Sequence, residues 1–404
     1  MTQSKPVAHS TNTQSPADKP SPGYRGYALL ALGFRPFYLL AGAFGTLSVL
    51  LWAAQFSGWL GAAILHGPQW HAHEMLFGYT FAVIVGFLFT AVRNWTQQPT
   101  PAGAPLAALA ALWLAGRVLA VTPWSSWAAL TDTVFTLGVA FGIARPLVAS
   151  GNRRNYFFVV LVLALGIVNL AFYATLQDIA PFSADTAIAI GLDVVLFIMV
   201  VMAGRVVPMF TNNAVPGAGA RRISTVEYTA LGSILVLLAA DLAGPTGFAA
   251  VIAAAAAIVH GVRLALWAPL KTRRQPLLWI LHASYAWIVV YLALRAAAGL
   301  GWIIPSLAMH ALTIGGIGGL TLGMMTRSAL GHSGRPLAAG RAEIACFVLI
   351  QLSAAARVLL PIVVPAAYVA GAALSGLLWS VAFAIFTVAY WPVLTRPRID
   401  GKPG

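Results

Sequence analysis

The sequence predicts an all-α, polytopic membrane protein: a bundle of about twelve transmembrane helices, each near the 20 apolar residues a bilayer crossing needs. Three observations carry this. Of 404 residues, 60% are apolar and only 8% charged, where a soluble domain carries about 25% charged residues. Mean hydropathy is +0.83, and the apolar residues fall in runs separated by short connections. The 24 Lys and Arg residues also alternate in density from one connection to the next.

Taken in order, the runs are Ala28–Phe56, Glu74–Val92, Pro105–Val121, Trp127–Ala144, Tyr156–Leu176 and Thr186–Phe210. They continue as Val226–Leu242, Phe248–Pro269, Leu277–Ala298, Ser306–Met325, Ala342–Leu360 and Ala366–Leu394. The first begins after Ser-, Thr-, Pro- and Gln-rich sequence, so residues 1–26 read as a disordered cytoplasmic tail rather than a signal peptide. Residues 27–395 form one membrane domain, and 396–404 a second cytoplasmic tail. Pro208 is expected to kink or end the sixth run, with Asn212-Asn213 as a turn.

The net charge of +14 does not imply nucleic acid, because the positives are scattered between apolar runs rather than stacked in a patch. With both chain ends cytoplasmic, only Arg117, Arg295 and Arg357, three of the 24, fall toward the outer side. The positive-inside rule then fixes the orientation. Trp52, Trp59, Trp124, Trp127 and Trp302 are placed in an outer aromatic belt, and Trp95, Trp267 and Trp279 in an inner one.

That orientation gathers polar residues in one outer layer. His66 lies in the first outer loop; His71, His73 and Glu74 stand at the mouth of the second span. His310 opens the tenth, with Asn169 and Asp193 at similar depth. Ionisable groups beside hydrocarbon are costly, so function is sought here. His71 shares a helix face with Glu74 and Met75, three and four positions on, but not with His73. Two faces suggest two partners, such as a haem iron and a second metal, since neutral imidazole suits iron, copper and zinc alike. The alternative is one ligand and one hydrogen-bonded histidine, with Glu74 fixing a tautomer.

The other candidates have two readings each. Gly315, Gly319 and Gly323 below His310 form overlapping GxxxG steps, suited to close helix packing or to a flat ligand. The three outer arginines either pair with Asp193 or Glu74, or hold anionic groups such as haem propionates. His260 and His282 read as ordinary buried hydrogen-bonding groups, with a shared second site as the alternative, and His332 reads as a loop residue. A single cysteine, Cys346, excludes a disulfide framework, a CxxC zinc pair and a CxxCH haem attachment.

The chain resembles the NnrS family, haem- and copper-containing bacterial membrane proteins linked to nitric oxide and nitrosative stress. The motifs are Gly33-Phe34-Arg35-Pro36-Phe37, HAHEMLFG from His71 to Gly78, and Asn94-Trp95-Thr96. GRVVPMFTNN from Gly204 to Asn213 and the glycine-rich run from His310 to Arg335 complete the set. Arg93 departs from the proline expected before Asn94, far from the outer layer. A weaker resemblance, to the main subunit of haem-copper oxidases and nitric oxide reductases, rests on a helix 2 histidine followed four positions on by methionine, with His310 as the helix 10 counterpart. It ends at the copper site, because the sixth and seventh spans carry no histidine.

The resemblance implies a bacterial inner-membrane protein of the nitric oxide response, with nitric oxide or a related small ligand as partner. It implies haem b held by His71 or His73 and His310, with Arg117, Arg295 or Arg357 on the propionates. Copper would take the remaining histidine of the second span, with His66. Whether such a protein catalyses, senses or protects stays open. The alternatives are a secondary transporter, which twelve spans also suit, and a haem-handling assembly factor.

Overall fold

The computed structural model describes residues 27–60, 67–243 and 247–402. Among the described residues the chain folds into twelve main helices and no strand. They are α1 (Phe34–Phe56), α2 (Gly67–Thr96), α3 (Ala104–Leu119), α4 (Ser125–Ala149), α5 (Phe157–Thr175) and α6 (Ala184–Ala214). The second half adds α7 (Ser224–Leu242), α8 (Phe248–Leu266), α9 (Pro276–Gly299), α10 (Pro305–His332), α11 (Arg341–Val363) and α12 (Tyr368–Thr395). Eleven are long and apolar enough to cross a membrane. At about 1.5 Å per residue, the 16-residue α3 spans only about 24 Å. The chain is a multi-pass membrane helix bundle. Residues 1–26 and His66 lie outside the described residues.

Burial separates the helices into an inner and an outer set. In α2, 89% of the apolar stretch is buried, and in α6 and α10 it is 72%, against 22% in α7 and 33% in α5 and α8. Central helices are α2, α6 and α10, while α5, α7 and α8 present most of their apolar residues outward, where lipid replaces a protein partner. The two ends of the described chain lie together on one face, and contacts tie them there. The Ala28 amide donates to the Thr395 carbonyl at 2.7 Å. Arg35, buried, donates to the carbonyls of Leu394 at 3.1 Å and Arg396 at 2.7 Å.

Several boundaries differ from those expected. α2 begins at Gly67, seven residues before Glu74, so His71 and His73 sit inside the helix rather than ahead of it. Pro68 lies in the first turn, where its missing N–H costs nothing. α6 runs through Pro208 to Ala214 instead of ending there. The ring removes only one amide, and the last turn is anchored by Asn212, whose side chain exchanges two 2.9 Å hydrogen bonds with the Ala220 backbone. One tryptophan is not at an exposed edge: Trp267 is fully buried under the Arg263 guanidinium, 5.0 Å from its ring centre.

Candidate functional site

The helices that carry His71 and His310 both widen into π-helix just past those histidines, over Glu74–Thr80 in α2 and Ala311–Gly318 in α10. A π turn takes an extra residue and so rotates the helix beyond it relative to the helix before it; such turns recur at functional sites. In α2, two side chains bond carbonyls of this turn: Thr80 Oγ1, from the segment itself, donates to Met75 at 2.7 Å, and Trp113 Nε1, from α3, to Gly78 at 3.1 Å. The glycines of α10 face its neighbour. A Cβ at Gly315 would collide with Trp287, one at Gly319 with Ser284, and one at Gly323 with Leu281, all on α9. The glycine stripe is helix-packing surface.

Between these widened segments, at the face opposite the chain ends, lies a cavity of about 320 Å³. Residues of α1, α2, α6, α10, α11 and α12 line it, among them His71, Met75, His310 and Arg357. The His71 ring lies flat against Trp52, centroids 5.2 Å apart and planes 12° apart. His71 Nδ1 is buried without a hydrogen-bond partner. The His310 Nδ1 lies 2.6 Å from the Ser306 carbonyl. A carbonyl only accepts, so Nδ1 carries the hydrogen and Nε2 keeps its lone pair. That is the tautomer and orientation a metal-ligating histidine takes.

Arg357 supplies positive charge to the same cavity. Its Nη2 donates to the Tyr368 hydroxyl at 2.8 Å and to Ser306 Oγ at 3.2 Å. The guanidinium carbon lies 4.5 Å from the Tyr368 ring centre, while Nη1 is buried and unpartnered. One cavity therefore holds two imidazoles, each with a nitrogen to offer, and one guanidinium with an unused donor. Its walls are otherwise mainly apolar.

His73 turns the other way. It is 2% exposed, with Nδ1 2.9 Å from Glu74 Oε1 and Nε2 2.7 Å from Asn169 Oδ1. Asn169 donates from Nδ2 to Asp132 Oδ2 at 3.2 Å, so its oxygen accepts and His73 Nε2 donates. Arg117 closes the cluster, with Nη1 3.1 Å from both Glu74 oxygens and Nη2 2.6 Å from both Asp132 oxygens. Tyr173 adds a 3.2 Å bond to Asp132. Both ring nitrogens of His73 are committed within the protein.

The remaining expected residues divide cleanly. Arg295 binds Asp193 at 3.1 Å, Asp241 at 2.6 Å and the Tyr291 hydroxyl at 2.9 Å, so it pairs with carboxylates, as does Arg117. Of the three exceptional arginines, Arg357 is the one in the histidine cavity. His260 and His282 take separate partners: Tyr285 at 2.7 Å for the first, Thr211 at 2.9 Å for the second. His332 ends α10 beside Phe34 instead of standing in a loop. Cys346 is buried, its thiol 3.2 Å from the Ala382 carbonyl.

Three participants escaped the sequence reading. Asp132 carried a signal, being an acid inside an apolar run. Ser306 and Tyr368 carried none, since hydroxyl residues at helix starts are commonplace. A protein-family model described as NnrS protein matches residues 28–398, nearly the whole chain. No curated protein matches it.

Proposed function

The chain belongs to the NnrS family of nitric-oxide-response membrane proteins, and from that premise we propose that it holds haem b between α2 and α10. The observation that supports this is the meeting, in one buried cavity, of His71 and His310, each with a ring nitrogen left for a ligand. A cavity of about 320 Å³ falls in the roughly 300–1,000 Å³ range of small-molecule and cofactor sites. Among the described residues no group of three or more His, Cys, Asp or Glu is placed to hold a metal ion. Two imidazoles in a mainly apolar cavity suit a haem iron, whose other four ligands come from the macrocycle. The unused Nη1 of Arg357 suits a propionate. Tyr368 and Ser306 hold that guanidinium in place, and Trp52 holds the His71 ring.

A copper ion does not fit at His73, where Glu74 and Asn169 occupy both nitrogens. Haem bound there would supply a redox-active iron whose properties its histidine ligands and surroundings set. The protein's own part is to present two neutral imidazoles, balance the propionate charge and exclude water. We place this activity in a bacterial inner membrane, in sensing or electron transfer.

The test is the visible spectrum of the purified protein. His71→Ala and His310→Ala should each lose haem or shift the Soret band, while His73→Ala should lower the yield of folded protein yet keep the native spectrum of whatever folds. Full haem content with unchanged spectra in both cavity variants overturns the reading. A wild-type protein with no Soret band would point instead to a transporter.

A further inference from the structure

A second cavity, of about 80 Å³, lies deeper toward the chain-end face, walled by α1, α2, α6, α9 and α10. Thr80 lines both cavities. The 2.7 Å hydrogen bond between Tyr79 and Thr321 joins a side chain of the first wall to one of the second. The two spaces are therefore neighbours along α2 and α10, separated by these side chains.

The walls of this cavity decide its contents. No charged residue lines it. Its three hydroxyls are engaged elsewhere: Thr80 with the Met75 carbonyl, Thr321 with the Ile317 carbonyl, and Tyr38 with Ser328. Buried water needs two to four polar partners, and the polar atoms on these walls are few, so water is poorly held there. An ion would meet no counter-charge and no free dipole, which makes its burial costly. A lipid chain is far too large for about 80 Å³. That leaves a neutral guest of a few atoms, as engineered apolar cavities that stay dry bind xenon. Met199, Met202 and Met324 supply unbranched side chains that re-pack around such a guest at little cost.

We infer that this cavity is a holding site for an uncharged diatomic molecule beside the histidine cavity. The identity of that molecule as nitric oxide rests on the haem reading; the existence of the site does not. It would raise the local concentration of a gas that partitions from the bilayer into the bundle. Capture at the histidine cavity would then draw on an adjacent store rather than on bulk water.

Xenon is the probe, applied under pressure to the full-length protein and followed by xenon NMR. Wild type should show a saturable bound population. Ala203→Phe, which projects a ring into the space, should abolish it, and Val207→Phe provides a second filled variant should the first fold poorly. Met202→Leu, nearly equal in volume, should retain it. No saturable xenon in wild type, or undiminished xenon in a folded filled variant, overturns the inference. So does stoichiometric silver(I) binding that expels xenon and is lost in the Met199→Leu, Met202→Leu, Met324→Leu triple variant, which would make this a soft-metal site. Xenon binding in a protein that takes up no haem supports the cavity and refutes the haem reading alone.

Discussion

Two regions of this bundle bury histidine beside arginine, and they solve the cost of doing so in opposite ways. In the half nearer the chain ends, α7, α8 and α9 enclose His260, Arg263, Glu227 and Tyr285. Arg263 donates from Nε and Nη2 to Glu227 at 3.0 and 2.6 Å, and from Nη1 to the Tyr285 hydroxyl at 2.8 Å and the Val200 carbonyl at 3.1 Å. Tyr285 donates onward to His260 Nδ1, and His260 Nε2 donates to the Ala230 carbonyl at 3.2 Å. Every side-chain nitrogen and oxygen of those four residues has a hydrogen-bond partner. At the opposite face, His71 Nδ1 and Arg357 Nη1 are buried with none. A buried polar group without a partner costs free energy, and native proteins leave few of them. The first region is a strut; the second has the unpaired groups that the proposed ligand would use. The same division operates within one turn of α2, where His73 belongs to a closed cluster and His71 does not.

The strongest way to break this comparison is to open the strut. Glu227→Ala leaves Arg263 buried beside Tyr285 with no carboxylate, the situation for which losses of about 3–5 kcal/mol are typical. Thermal denaturation in detergent should show a large fall in midpoint, with the spectrum of the surviving folded fraction unchanged. A variant of undiminished stability would mean that the strut is not one. A smaller loss is expected from Gly319→Val. Its Cβ would collide with Ser284, and overpacking of this kind costs about 1–3 kcal/mol. Because α10 also carries His310, displacement of α10 from α9 should alter haem affinity as well as stability. Were Gly319→Val fully stable, the glycine stripe would be surface for something other than α9.

Much of this arrangement was legible in the residues before any coordinates. Long apolar runs gave all twelve helices, because crossing a bilayer imposes a length that composition alone can meet. Spacing put His71 and His73 on different faces, and the structure keeps them apart, on opposite sides of the α2 wall. The expectation that an outer arginine either pairs with a carboxylate or serves a ligand resolves residue by residue: Arg117 and Arg295 pair, while Arg357 faces the cavity. The π segments were not legible. One bond that accompanies the α2 segment, from Trp113 to the Gly78 carbonyl, comes from another helix 35 positions away in sequence. Asp132 is readable as an acid inside an apolar run, but its partner Arg117 lies 15 positions away on another helix.

The smallest expected change in stability is the most informative, because its sign separates the two kinds of histidine. His71→Leu removes a buried imidazole whose Nδ1 has no partner and substitutes an apolar side chain against Trp52 in a mainly apolar cavity. The removed orphan would have cost about 1–3 kcal/mol, offset in part by lost stacking with Trp52, worth about 0.5–1.5 kcal/mol for aromatic pairs. Haem-free protein carrying His71→Leu should therefore denature at the wild-type midpoint or slightly above it. His73→Leu strips Glu74 and Asn169 of their shared partner and should denature well below. With haem added the order for His71 reverses, since wild type alone gains the stabilisation that a bound ligand confers on the folded state. A haem-free His71→Leu protein that is markedly destabilised would show that His71 is held for structure, and the contrast drawn between the two histidines of α2 would fail.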